Sequence, residues 1–253
     1  MNYYNEFDPG AAQWLRNLIQ AGKLPTGDVD ERDIRLVQPA ELEKYTQCHF
    51  FAGIGGWALA LALAGWDESR QVWTGSCPCQ PFSVCGSRKG TSDERHLWPE
   101  FKRLISKRRP PVVFGEQVAS KDGVEWLSGV RLDLEACGYA VGGADLPAAS
   151  VQAPHIRQRL WFVADSKGER LYGIKDTSRT PRRNSLKDGG PARYWGAFDI
   201  VKCTDGKTRR IEPGTFPLAY GVPGRVVKLR AYGNAIVPQV AAEFIKAYLR
   251  TCA

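Results

Sequence analysis

No stretch of this 253-residue chain approaches the about 20 apolar residues that a membrane-crossing helix needs, so no membrane association is expected. The opening residues, Met1-Asn2-Tyr3-Tyr4-Asn5-Glu6, lack a basic start and an apolar core, which argues against a secretory leader. Seven cysteines form an odd set without the spacing of a disulfide framework, pointing to a reducing, cytoplasmic setting. Internal repeats and long low-complexity tracts are also missing. What remains is a chain with 43% hydrophobic residues, enough for one large domain, or a core with a small appendage.

The net charge of +8 is unevenly placed. Between Ser166 and Arg230 there are 15 Lys/Arg against six Asp/Glu, and the rest of the chain is close to neutral. Aromatic residues (Tyr172, Tyr194, Trp195, Phe198) interleave with these charges, so a polyanionic partner, nucleic acid first, is expected rather than a merely solvated loop.

Apolar periodicity predicts a helix over 10–22 with Trp14, Leu15, Leu18 and Ile19 inward, closed by Gly22. Pro39–Lys44 reads as a short helical connector. Strands are expected at 48–52, 71–75, 112–118, 139–144 and 160–164. Helices are expected at 57–64, 96–107, 124–137 and 237–249, with Gly65 and Gly138 as stops. Strands alternating with helices imply an α/β fold, a mostly parallel, doubly wound sheet.

Two segments carry chemistry. Phe50-Phe51-Ala52-Gly53-Ile54-Gly55-Gly56-Trp57 reads as a strand, a glycine turn and a helix, a pattern many α/β proteins share. About 23 residues on, Gly75-Ser76-Cys77-Pro78-Cys79-Gln80-Pro81-Phe82-Ser83 presents a thiol at a strand end. Alone, a Cys-x-Cys pair fits packing, a metal half-site or catalysis equally well. A zinc site from Cys77, Cys79, Cys85 and His96 has a spacing that matches no structural zinc pattern.

Taken in order, these two segments, Glu116-Gln117-Val118, Arg157-Gln158-Arg159 and Gly233-Asn234-Ala235-Ile236 resemble the DNA cytosine-5 methyltransferase family of phage and bacterial type. The resemblance implies a Rossmann-like, S-adenosylmethionine-dependent methyltransferase sheet with a small, loop-rich DNA-recognition region. It implies Cys79 as nucleophile towards cytosine C6, Glu116 as the acid near ring N3, and Arg159, helped by Arg157, on the base carbonyl and adjoining phosphate. The target base has to leave the duplex. Phe51, Ala52, Gly53, Ile54, Gly56, Pro78, Leu97, Asn234 and Ala235 are the implied contacts to the amino-acid part of the cofactor and its surroundings. Gln80, Ser83, Ser87, Lys89, Arg95, Arg209 and Arg210 are the implied contacts to double-stranded DNA, and 82–96 is the counterpart of the family's mobile loop. The expected protein is a monomer without metal. Gln117 stands where the family has Asn, which opens the question of how that loop is braced. Cys77 is read as packing, and His155 is assigned no chemistry.

The chain departs from the family between the glycine turn and the Pro-Cys-Gln loop. The family's acidic-aromatic pair and Gly-Asp-Ile-like turn, which hold ribose and adenine, have no room there. Asn5-Glu6-Phe7-Asp8 and Gly27-Asp28-Val29 resemble them. Residues 1–47 are therefore expected to supply that half of the cofactor site from the N-terminus, with Glu6 on the ribose, Phe7 on the adenine ring and Asp28, with Val29, at the adenine amine. The alternative makes 1–47 a decoration, with Asp67 or Glu68 at the ribose. The implied organisation is a catalytic domain of 1–165 plus 231–253 and a target-recognition region of 166–230. An RNA cytosine methyltransferase and a catalytically silent nucleic-acid binder are the competing functions; an exocyclic-amine methyltransferase is disfavoured by Cys77-Pro78-Cys79-Gln80.

Overall fold

In the computed structural model, which describes residues 1–78, 97–153, 155–167, 199–202, 208–211 and 233–252, seven strands form one sheet. In chain order they are β1 (Asn2–Asn5), β2 (Gly27–Asp30), β3 (Gln47–Phe50), β4 (Val72–Gly75), β5 (Val112–Val118), β6 (Ala140–Pro147) and β7 (Gln158–Asp165). The described helices are α1 (Pro9–Gln20), α2 (Gly56–Ala64), α3 (Trp98–Arg108), α4 (Lys121–Ala136) and α5 (Pro238–Thr251).

Across the sheet the order is β2-β1-β3-β4-β5-β7-β6. Neighbours from β2 to β5 are parallel, and β7 runs antiparallel between β5 and β6. Parallel neighbours need a crossover, and helices supply it on both faces. Successive side chains of a strand point to opposite faces, and β5 shows the consequence. Val113 joins Phe101, Leu104, Trp126 and Phe162 under α3 and α4, while Val112 and Phe114 join Trp57, Trp161, Phe244 and Ile245 under α2 and α5.

Residues 1–47 are packed into this frame. β1 pairs with β2 on one side and β3 on the other. Tyr4, Leu15 and Leu24 form a third apolar cluster with Ala52 and Ala58, at the glycine turn and α2. Cutting Leu15, which is fully buried, to Ala costs about 2–5 kcal/mol by analogy with other core leucines. A side chain at Gly55 would run into Leu24.

The helix stops fall where expected: Gly22, Gly65 and Gly138 all have positive φ. Trp14 differs. It is 38% exposed, and Ala12 and Leu15 instead carry the buried stripe of α1. Asp8 caps this helix by accepting from the Ala11 amide at 2.9 Å, which starts it at Pro9 and fixes that stripe. β6 runs past Ala144 to Pro147, because β7 offers it a partner along that whole length. The Tyr248 hydroxyl on α5 donates to Asp165 at the end of β7 at 2.7 Å. From the basic segment, β8 (Asp199–Lys202) and β9 (Thr208–Ile211) form a small antiparallel ladder.

Candidate functional site at the carboxyl ends of the strands

In open α/β sheets ligands bind beyond the carboxyl ends of the parallel strands. Six of the expected segments meet there, those around Glu6, Gly53, Ser76, Glu116, Arg159 and Ala235. After β3 the chain turns sharply, with Phe51 at φ 52°, Gly53 at 56° and Gly55 at 82°. Phe51 is a non-glycine residue held in the left-handed region, a strain that clusters at ligand sites. The φ of Gly53 suits glycine, and the space beside its Cα is open. The Glu6 carboxylate, just past β1, accepts from the Gly53 amide at 2.6 Å and from the Asp8 amide at 2.9 Å. Burial raises the Glu6 carboxyl above the usual range, against the lowering effect of those two amides. Each carboxylate oxygen keeps a lone pair for a further donor. Phe7 follows, 69% exposed, an apolar ring facing solvent beside this acid.

Asn5, itself buried, donates from Nδ2 to the carbonyls of Arg32 at 2.8 Å and Asp30 at 3.3 Å. It thereby draws the chain after β2 against the end of β1. Asp33 is the next residue and caps a short 3-10 turn, Ile34–Leu36. Its pairing with Arg35 holds its carboxyl below the ordinary value. Asp28 is placed elsewhere. It lies early in β2, and its carboxylate accepts from Tyr45 Oη at 2.5 Å and Lys44 Nζ at 3.4 Å, both from residues that precede β3. Val29 packs with the α1 cluster. The structure thus brings Glu6, Phe7 and Asp33 to one end of the sheet, and not Asp28 or Val29. In the sequence, Asp33-Ile34-Arg35 carries the same signal as the Gly-Asp pair at 27–28, an acid at a turn. Asp67 turns back on itself, accepting from Ser69.

A pocket of about 580 Å³ opens beside β2, lined by Asp28, Asp30, Arg32, Glu41 and Tyr45 among others. Its charges are already paired, Arg32 with Asp30 and Glu41, Lys44 with Asp28, Glu31 with Arg16 and Glu43 with Arg108. Neither the glycine turn nor Glu116 lines it.

The second half of the site forms where β4, β5 and β7 end or begin. Gly75 pairs with Gly115, so Ser76 emerges beside Glu116. A side chain at Gly75 would press on Phe101 at 2.6 Å, so the approach to Ser76 and Cys77 is close-packed. Because β7 is antiparallel, its first residues lie at the same end of the sheet as the last residues of β5. Arg159 Nε consequently meets Glu116 Oε1 at 2.8 Å. Burial raises the Glu116 carboxyl, and it outweighs the opposing pull of Arg159, Arg157 and a hydrogen bond from Ser76. Arg157, at φ 33°, sends Nη2 to the carbonyls of Gly233 at 3.0 Å and Ala235 at 2.6 Å. The turn before α5 is thus tied to the start of β7. Ile236 in the same turn packs against Gly56, which brings Asn234 and Ala235 beside the glycine turn.

Gln117 is buried. Its Nε2 reaches the Cys77 carbonyl at 3.4 Å and its Oε1 accepts from the Val118 amide at 2.9 Å. The longer amide therefore braces the loop after β4. Burial pushes the Cys77 thiol well above its ordinary value, so Cys77 is packing. Pro78 is exposed at the edge of the described residues, and Leu97 is half-buried against the α3 core. His155 is exposed, and burial of its ring with the nearby Arg157 charge lowers its pKa. Cys79, Gln80, Ser83, Cys85, Ser87, Lys89, Arg95 and His96 lie outside the described residues, as does most of 166–230. Arg209 and Arg210 are on β9, where only the backbone is described. Among the described residues no group of His, Cys, Asp and Glu is arranged to hold a metal ion, and no helix is long and apolar enough to cross a membrane.

Strand order and site together define an open α/β sheet with an acid, an arginine and a glycine turn at its carboxyl edge. Residues 67–190 match the model of C-5 cytosine-specific DNA methylases. Among curated proteins, Type II methyltransferase M.AluI of Cellulosimicrobium cellulans is 34% identical over 166 residues, 61% of this chain and 32% of that protein. Type II methyltransferase M.HhaI of Haemophilus parahaemolyticus is 27% identical over 152 residues, 45% of this chain and 46% of that protein. The chain thus spans less than half the length of these relatives. The crystal structure of the S. pombe Dnmt2 methyltransferase overlaps at a TM-score of 0.41 and 15% identity, covering 67% of this chain and 52% of that one.

Proposed function

We propose that this protein transfers a methyl group to C5 of cytosine in double-stranded DNA, in a bacterial restriction-modification system or in a phage protecting its genome. The observation that carries the reading is the pairing of buried Glu116 with Arg159 at the carboxyl end of β5, immediately beside the strand that leads to Pro78-Cys79. The cytoplasm of the bacterial or infected cell is the setting, and the protein acts as a monomer.

The residues present fit S-adenosyl-L-methionine. Gly53 leaves open space beside its backbone, Glu6 keeps free lone pairs, and Phe7 offers an exposed ring. Glu6 accepts from the ribose, Phe7 stacks on adenine, and Asp33, rather than Asp28, meets the adenine amine. The turn from Phe51 to Gly56, with Asn234 and Ala235, lies against the amino-acid part. Bound there, the cofactor supplies an electrophilic methyl group.

The Cys79 thiolate forms a bond to C6 of a cytosine turned out of the duplex, and the electron pair of the C5–C6 double bond becomes available at C5. Glu116 gives a proton to N3 as charge builds on the ring, and its burial favours the protonated form that this step needs. Arg159 and Arg157 hold the base carbonyl and a phosphate. After C5 is alkylated it loses its proton, and Cys79 leaves with the C6–S bond electrons. The region 166–230 contributes DNA contacts from its basic residues, Arg209 and Arg210 included.

The test is methylation of plasmid DNA and of tRNA with labelled cofactor, followed by base-resolution mapping. Label at cytosine C5 in DNA is expected, together with a covalent complex on 5-fluorocytosine DNA, where C5 carries no removable proton. Cys79→Ser should abolish that complex. Label confined to tRNA would transfer the reading to RNA, and no label with either would leave a nucleic-acid binder.

A further inference from the structure

The chain leaves β3 after Phe50 and β4 after Gly75, and these two residues are partners in parallel register. The glycine turn and the stretch Ser76-Cys77-Pro78 therefore start side by side at the carboxyl edge of the sheet. A side chain to which the reaction gives no role spans them. Trp57, in the first turn of α2 directly after the glycine turn, donates its indole Nε1–H to Ser76 Oγ at 3.0 Å. The ring is held in that orientation. It is 3% exposed, stacked on Phe114 of β5 at 6.2 Å and set edge-on to Trp161 of β7 at 5.6 Å.

We propose that Trp57 is a positioning residue: its bond to Ser76 fixes the helix behind the glycine turn against the strand end that leads to Cys79, and so sets the methyl donor against the target base. The inference rests on the reading of the glycine turn as cofactor site and of Cys79 as nucleophile. Apart from this bond, the two halves of the site are tied to different strands. Ser76 follows Gly75, which pairs with Gly115 of β5, and the Cys77 carbonyl accepts from Gln117 of β5 at 3.4 Å. Glu116 and Arg159 stand on β5 and β7, so the groups assigned to the base belong to that half. The glycine turn belongs to the other half, where Glu6 accepts from the Gly53 amide and Ala52 and Ala58 pack with Leu15 of α1. Methyl transfer requires the two halves in register, and a misplacement of about 1 Å between reacting groups can cost about 100-fold in rate.

The experiment separates two reactions of the same thiolate. Attack of Cys79 at C6 lets C5 take a proton from solvent. Loss of the original C5 hydrogen, and departure of Cys79 with the C6–S bond electrons, then exchange that hydrogen without methyl transfer. Exchange needs the base half of the site alone, whereas methyl transfer needs both. Release of tritium from DNA labelled at cytosine C5, and methyl transfer from labelled S-adenosylmethionine, are measured for the full chain and for Trp57→Phe, Ser76→Ala and the double variant. Each single variant is expected to lower kcat for methyl transfer about tenfold, the worth of one hydrogen bond, with tritium release and KM for S-adenosylmethionine unchanged. The double variant should match the single ones, since all three lack the same bond. Wild-type methyl transfer in Ser76→Ala overturns the proposal. So does tritium release falling in step with methyl transfer, or a double variant about 100-fold slower, the sum of two independent losses. A wild type that neither releases tritium nor methylates any nucleic acid sinks the functional reading and the inference with it; an active wild type with any of the overturning results sinks the inference alone.

Discussion

The Glu6 carboxylate holds the Gly53 amide at 2.6 Å and so joins the end of β1 to the glycine turn after β3, across 47 positions of chain. This contact makes the N-terminal segment part of the candidate cofactor site. Glu6→Ala is expected to weaken S-adenosylmethionine binding about 10- to 100-fold, the range for losing a charge-assisted hydrogen bond. Asp33→Ala should weaken it comparably, and Asp28→Ala should leave it nearly unchanged. Calorimetric titration ranks the three. A larger effect for Asp28→Ala than for Asp33→Ala would return the adenine contact to β2.

Glu116 is an acid whose ionised form is costly in its surroundings, because burial raises its carboxyl despite two arginines. A raised carboxyl contributes stability below the unfolded range near pH 4.5 and loses that contribution as pH rises through the folded value. Glu116→Gln removes the cost of the buried charge. It should raise Tm at pH 7 by roughly 2–4 °C for about 1 kcal/mol, with the gain shrinking toward pH 4, while methyl transfer is lost. Melting curves at the two pH values check this.

Arg157 combines a strained backbone with a useful side chain. Arg157→Ala and Arg157→Gly both lose the bonds to Gly233 and Ala235, but only glycine relieves φ 33°. The glycine variant should be the more stable of the two by about 1 kcal/mol in urea denaturation. Equal stabilities would mean that the turn has no strain to release.

His49 on β3 is fully buried, its Nδ1 2.8 Å from Thr74 Oγ1, and burial pushes its pKa down to about 3. A depressed histidine contributes stability present above its unfolded value of 6.5 and lost as pH falls toward 3. Between those values wild-type stability should fall by about 1.4 kcal/mol per pH unit from this residue, and His49→Phe should flatten the slope. Urea denaturation at pH 6.5 and pH 5 gives the comparison.

Much of this site is legible in the sequence because its parts are local. A glycine turn, a strand-end acid and an Arg-x-Arg pair each announce themselves within a few residues. Apolar runs such as Val112-Val113-Phe114 announce central strands for the same reason. The Glu116–Arg159 distance could not be read, since it depends on β7 inserting antiparallel beside β5. Asp28 and Asp33 differ by five positions and both sit in acidic, turn-like text. What separates them is the reach of Asn5 to the Arg32 carbonyl, a contact across 27 positions. Apolar periodicity turns Trp14 inward and the structure leaves it exposed, because periodicity marks a stripe without saying how far the neighbouring sheet covers it.

The bond between Asp165 and Tyr248 fastens the chain just before and well after the basic stretch. Doubling the length of a loop costs only about 0.6 kcal/mol in closure entropy. The proposed recognition region of 166–230 can therefore change in length at little cost while β7 and α5 keep their places.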